Sequence, residues 1–111
     1  MAVSINHDMD QGSNFAFSIS AKDSSGNPVS LSGSTAYCQM RKYYTSETAI
    51  SLTTSLTGGT GNIIVSLGPT GTAAVKPGVY FYDVELHSAN GTQVQRLVQG
   101  MITVYPEVTR I

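Results

Sequence analysis

The side chains able to do chemistry in this chain are few and scattered. His7 and His87 are its two imidazoles, and Cys38 is its single thiol. Serine and threonine abound, with 14 and 12 copies. A hydroxyl becomes a nucleophile only beside a base that a third group orients. His7 falls in a polar N-terminal stretch and His87 at the end of a strand-like run. No Gly-x-Ser-x-Gly elbow brings a serine to either. Cys38 alternates with apolar residues, so it faces inward as inert packing. Asp83, Glu85 and His87 stand at alternate positions on one strand face, a spacing that would let them meet a cation. The same alternation also describes the solvated side of a half-exposed strand. His7, Asp8 and Asp10 form another acidic cluster, without the ligand spacing of a zinc or calcium site. Gly58, Gly59 and Gly61 make a glycine-rich loop that lacks the Lys-Ser/Thr and the helix of a phosphate loop. These residues point to no catalytic group, no metal site and no cofactor, and the chain is expected not to be an enzyme.

The elements that carry these residues read as strands. Turn-forming Gly, Pro, Asn and Ser recur about every ten residues, with short alternating runs between them, the pattern of a sandwich or barrel. Phe15, Phe17 and Ile19 share one face of a first strand. Ala36, Cys38 and Met40 share one face of a second, with Tyr37, Gln39 and Arg41 opposite. Ile50 and Leu52 mark a third, and Ile63, Val65 and Leu67 a fourth. In the most regular run, Tyr80, Tyr82, Val84 and Leu86 face in, while Phe81, Asp83, Glu85 and His87 face out. Asn90-Gly91 predicts a type I′ hairpin turn. The last strand runs to Tyr105 and has apolar residues on both sides, so a bulge near Gly100 is expected. One helical turn is expected from Thr72 to Lys76. Residues 1–12 read as an N-terminal arm or first edge strand, polar apart from Val3 and Ile5. Residues 13–111 read as one domain.

Composition narrows the partners. Charged residues make up 12% of the chain and the net charge is −1, against roughly 25% charged residues in an average soluble domain. Lys22, Arg41, Lys42, Lys76, Arg96 and Arg110 are too dispersed to follow a phosphate backbone, so no nucleic-acid partner is expected. No apolar run is long enough to span a bilayer as a helix, and no membrane partner is expected. The N-terminus lacks the features of a signal peptide, and a single cysteine excludes an internal disulfide. Synthesis in a reducing cytoplasm is the expectation. A surface of uncharged Ser and Thr costs less to desolvate than one of Lys and Glu, which suits protein contact. The aromatics outside the expected core, Tyr37, Tyr43, Tyr44, Phe81 and Tyr105, are candidate interface anchors. Tyr43 and Tyr44 stand where a strand enters a loop.

Two resemblances refine this reading. Gly78-Val79-Tyr80 at the mouth of a strand is similar to the tyrosine corner of immunoglobulin-like sandwiches, where the tyrosine hydroxyl bonds a backbone group a few residues upstream. This assigns Tyr80 as the corner residue and Gly78 as its partner in the turn. The Cys–Trp–Cys core of antibody domains is absent. In the wider chain, a turn around Gly26 precedes Leu31-Ser32-Gly33, then come Tyr82-Asp83, Arg96-Leu97-Val98-Gln99-Gly100 and Val108-Thr109-Arg110. This order resembles small immunoglobulin-like modules of tailed-bacteriophage virion proteins, with Ser32 where Thr is commoner. The resemblance implies an all-β, antiparallel sandwich of about seven strands. It also implies a structural role on the phage particle, at tail, baseplate, neck or capsid surface. The partners would be other virion proteins and further copies of the chain, with residues 1–12 and 106–111 as joining arms, one of them able to add a strand to a neighbour's sheet edge. The rival expectation is a module that binds a host receptor or carbohydrate.

Overall fold

Alternating side chains commit most of this chain to extended backbone, and the strands must then find partners for their backbone groups. A computed structural model describes residues 3–20, 33–43, 45–57, 61–88, 91 and 94–108. Its strands are β1 (Val3–Ser4), β2 (His7–Asp10), β3 (Phe15–Ser20), β4 (Thr35–Arg41), β5 (Ile50–Thr57), β6 (Asn62–Leu67), β7 (Gly78–His87) and β8 (Val94–Tyr105), with one short helix, α1 (Pro69–Ala73), before β7. They join in one hydrogen-bonded path, β1-β8-β7-β4-β5-β6-β3, with β2 also on β8.

The pairs from β3 through β8 are antiparallel, and the N-terminal segments alone run parallel to β8. Strand β5 serves both halves of the path. Its residues 50–52 pair with β4, and its residues 53–57 pair with β6. The sheet therefore curls into a half-barrel, with its two halves continuous through β5. The curl brings β3 over β7, where the rings of Phe17 and Tyr82 meet at 5.7 Å. Between them lies the core: Phe15, Ala36, Cys38, Met40, Leu52, Ile63, Val65, Tyr80, Tyr82, Val84, Val98, Ile102 and Val104 are all buried.

Two local expectations are corrected. The helical turn is Pro69–Ala73, not Thr72 to Lys76. Proline is pre-organised for the first helical position, which sets the start earlier. Thr72 is fully buried there, and its hydroxyl donates to Ser13 O at 2.8 Å or Pro69 O at 3.1 Å while accepting from Gly12 N at 3.0 Å. The irregularity in β8 falls at Leu97 and not at Gly100, since Val84 pairs with Val98 but Glu85 with Arg96. The bulge turns Arg96 to the outer face, away from the set of Val98. Gly100 is needed for close approach: a Cβ there would sit 2.8 Å from the carbonyl carbon of Ile5 and nearer still to its oxygen.

The N-terminal segment, expected as an arm or a first edge strand, pairs along the edge of β8. Val3 and Ile5 are exposed, and Met9 is the residue that enters the core, at 0% exposure. His7 to Asp10 lie in register with Ile102 to Tyr105. At the break between β1 and β2, Ile5 N donates to Gln99 O at 2.9 Å, Met101 N donates to Asn6 Oδ1 at 3.0 Å, and the Tyr82 hydroxyl donates to Ile5 O at 2.7 Å. Beyond β2 the chain is tied down by Gln11, whose Nε2 donates to Val75 O at 2.8 Å and whose Oε1 accepts from Glu107 N at 3.0 Å.

Candidate functional site

Residues facing away from the core on β4, β7 and β8 share one surface, because their strands are neighbours and their side chains alternate in phase. They line an open groove of about 780 Å³, floored by Tyr37, Arg41, Phe81, Glu85, Arg96 and Met101 and rimmed by Ser4 and Asn6 of the arm. Across it Asp83 faces Arg96 with oxygen and nitrogen 3.3 Å apart, and Glu85 faces His87 at 3.3 Å. The Tyr37 ring meets the His87 ring edge-on at 4.7 Å. Arg41 donates to Gln39 Oε1 at 3.2 Å and to the carbonyl of Ser46.

This arrangement pairs Asp83 with Arg96, sets Glu85 within hydrogen-bond distance of His87 and engages Arg41 with neutral acceptors. Partial burial pushes the Asp83 carboxyl up, Glu85 adds to the rise, and Arg96 and Arg41 oppose it. Asp83 and Glu85, expected to share a face with His87, do so, but the two carboxylates turn to different partners. No group of three or more His, Cys, Asp and Glu able to hold a metal ion occurs among the described residues. Cys38 lies on the other side of β4, buried, with its thiol pushed up to about 12 by burial and by Asp83. A thiol held so high stays protonated and unreactive. His7 is equally remote from the groove and packs flat on Phe17 at 4.0 Å.

The sequence-assigned positions fall in three places. Tyr80 is buried, its hydroxyl donates to Lys76 O at 2.8 Å, and Lys42 Nζ lies 5.2 Å from its ring centre. Gly78 opens β7 at φ +140°, a backbone setting that side chains rarely adopt. Beside this corner is a second hollow, of about 420 Å³, lined by Lys42, Ile50, Lys76 and Tyr80. Phe81 is half-buried in the groove, whereas Tyr43 and Tyr105 are exposed outside it. Tyr44 lies outside the described residues, as do Asn90 and the segment around Gly26. Gly91 of the expected hairpin has φ +71°, and its N–H donates to Ser88 O at 2.9 Å.

Two features escaped the sequence. The Asp83–Arg96 pair depends on the bulge at Leu97. The signal for it was a charged residue standing in an otherwise apolar set. The hydrogen bond from Tyr82 to Ile5 spans 77 residues and left no local trace.

No family model matches the chain, and no curated protein matches it. Among solved structures it is similar to a family 123 glycoside hydrolase from Clostridium perfringens, with TM-score 0.44 and 9% identity over 98% of this chain and 24% of that one. The chain thus spans about a quarter of that enzyme's length. It is also similar to AggA, the major subunit of aggregative adherence fimbriae type I from Escherichia coli, with TM-score 0.41 and 14% identity over 88% of this chain and 89% of that one.

Proposed function

We propose that this protein is a non-enzymatic structural component of a tailed-bacteriophage particle, assembled in many copies through protein–protein contacts. One observation carries the reading: polar groups of the groove on β4, β7 and β8 are engaged with one another. The Asp83–Arg96 ion pair and the Glu85–His87 hydrogen bond leave a mixed surface of rings, amides and engaged polar groups. Such a surface suits a protein partner, because side chains already paired lose less on desolvation. Exposed Tyr37, Met101 and Tyr105 supply apolar contact area on the same half of the sheet.

The immunoglobulin-like form of the fold belongs to this reading. Strands β3 and β6 would make one layer, and β4, β7 and β8 the other, with β5 crossing between them. The Tyr80–Lys76 hydrogen bond, in the position of a tyrosine corner, supports it. The chain would be made in the host cytoplasm and end on the virion, at head, neck, tail or baseplate. Its partners there would be other virion proteins and its own copies, without nucleic acid or membrane.

Mass spectrometry of gradient-purified particles tests the proposal. The chain should be recovered at multicopy abundance, and particles lacking it would defeat the reading. A second reading, a receptor- or carbohydrate-binding module, is favoured by Tyr37, which is 53% exposed on the floor of the groove beside amide and carboxylate side chains. Glycan-array binding that Tyr37→Ala abolishes would select it.

A further inference from the structure

The curled sheet ends in two very different edges. At one end of the path β1 and β2 lie along β8, the strand is interrupted at Ile5 and Asn6, and Asp8 and Asp10 stand exposed on β2. Short edge segments and outward charges are how sheet proteins keep further strands away. At the other end lies β3, whose six residues are Phe-Ala-Phe-Ser-Ile-Ser. It pairs with β6 and with no other strand among the described residues. Phe15 to Ser20 lie in register with Leu67 to Asn62 without a shift, so no bulge bends this edge away. It carries no charge, no proline and no glycine. About half of its backbone N–H and C=O groups point away from β6, because an antiparallel strand alternates its hydrogen-bonding sides. Its core-facing side is also unfinished. Phe15 is buried, but Phe17 and Ile19 are only partly covered, although they pack against the core.

We propose that β3 is a docking edge for β3 of a second copy of the chain, the two strands pairing antiparallel about a two-fold axis into one continuous sheet. The inference rests on the reading of the protein as an assembling module and names one of its copy-to-copy contacts. The occupant follows from what the edge demands. An added strand must set apolar side chains beside Phe17 and Ile19, and small uncharged ones beside Ala16, Ser18 and Ser20, which are exposed on the outer face. β3 meets both demands itself. With the axis at Phe17, that ring faces its own copy, Phe15 faces Ile19 and Ala16 faces Ser18. With the axis at Ser18, Phe17 faces Ile19 and Ala16 faces Ser20. The register between these two would set phenyl rings opposite serines and is excluded.

The competing occupant within the chain is the β2 edge of another copy. β2 would bring Asp8 and Asp10 beside Ala16, Ser18 and Ser20, and β3 holds no basic residue to receive them. The two carboxylates would lose water with no partner in return. That head-to-tail contact could also repeat without end, whereas a two-fold contact uses each β3 once and closes at two copies. A single six-residue ladder is small beside a standard interface of about 1,600 Å². The pair is therefore weak in dilute solution and gains strength where many copies are held on one particle.

Light-scattering mass and hydrogen–deuterium exchange of the full chain, from micromolar to near-millimolar concentration, test this. The mass should rise from one copy toward two and stop there. Exchange in residues 15–20 should slow several-fold as the dimer forms, while exchange in residues 7–10 stays unchanged. Two double variants decide the edge. Ala16→Lys with Ser18→Lys, and Ala16→Glu with Ser18→Glu, put like charges across the pair at exposed positions, so each should fold and remain monomeric. Mixed in equal amounts they should form a heterodimer, because lysine then faces glutamate in either register. The wild-type exchange result stands by itself if a variant fails to fold. A monomer at every concentration, a dimer that survives in both variants, or a mixture that stays monomeric while the wild type pairs, overturns the docking edge. Growth beyond two copies overturns the two-fold in favour of a head-to-tail contact. None of these outcomes alters recovery of the chain from purified particles, so the assembly reading stands or falls separately.

Discussion

Replacing Gly100 by alanine should detach the middle of the N-terminal strand and cost about 0.5–2.5 kcal/mol of stability. The added Cβ would lie 2.8 Å from the Ile5 carbonyl carbon, and 3.0 Å from Asn6 Oδ1. Backbone is in the way, so no side chain can rotate to make room. The strand must move, and three hydrogen bonds go with it: Ile5 N to Gln99 O, the Tyr82 hydroxyl to Ile5 O, and Met101 N to Asn6 Oδ1. Each contributes about 0.5–1.5 kcal/mol net, and their donors and acceptors regain water at this exposed edge, so the lower half of the summed range applies. Alanine recovers about 0.4–1 kcal/mol by restricting the unfolded chain. With a urea slope of about 1–3 kcal/mol/M, the midpoint should fall by roughly 1 M. A double-mutant cycle sharpens the test. Tyr82→Phe alone removes one of the three bonds, but added to Gly100→Ala it should cost almost nothing, since its partner has already left. The coupling energy should be about 1 kcal/mol. An unchanged midpoint for Gly100→Ala, or strict additivity of the two substitutions, would refute the packing of the strand against β8.

Three more outcomes follow from single contacts. Tyr80→Phe removes the hydroxyl that donates to Lys76 O at 2.8 Å and should lower stability by about 0.5–1.5 kcal/mol in a urea melt, with the sheet otherwise intact. Cys38, buried and with its thiol pushed up to about 12, should resist an aromatic disulfide reagent at pH 8 in the folded chain and react at once in denaturant. Arg96→Ala removes a pairing that is half open to water and should change stability by less than about 1 kcal/mol, yet raise the Asp83 titration midpoint in NMR, because Arg96 now opposes the upward push of burial.

Most of the strands and their facing could be read from alternation alone, whereas the curl of the sheet could not. Tyr80, Tyr82 and Val84 point into the core, and Asp83, Glu85 and His87 point away from it, because period-two patterning leaves a half-buried strand no other register. The same rule set Cys38 and Met40 inward and Tyr37 and Arg41 outward, while the groove itself arises only from the pairing of β4 with β7 and β7 with β8. The N-terminal segment reads as an arm or a first edge strand, but its partner was not legible. Its one buried residue, Met9, stands among His7, Asp8 and Asp10, and a parallel edge pairing across more than 90 residues leaves no periodic mark. Gly100 misled for a physical reason: a glycine within a strand signals a bulge or a close backbone approach, and only tertiary structure decides between them. The joining of the two halves through β5 was equally hidden, since Ile50–Thr57 looks like any strand while its two ends pair with different neighbours.

On the proposed function, this protein works by contact and not by turnover. Cryo-electron microscopy of purified tailed particles that carry the chain tests it most directly. The map should place the curled sheet in repeated, symmetry-related copies, with the face of Tyr37, Phe81 and Met101 covered by a neighbouring protein. A map in which no copy is found on the particle, or in which that face stands open over a small substrate held by Asp83, Glu85 and His87, would contradict it.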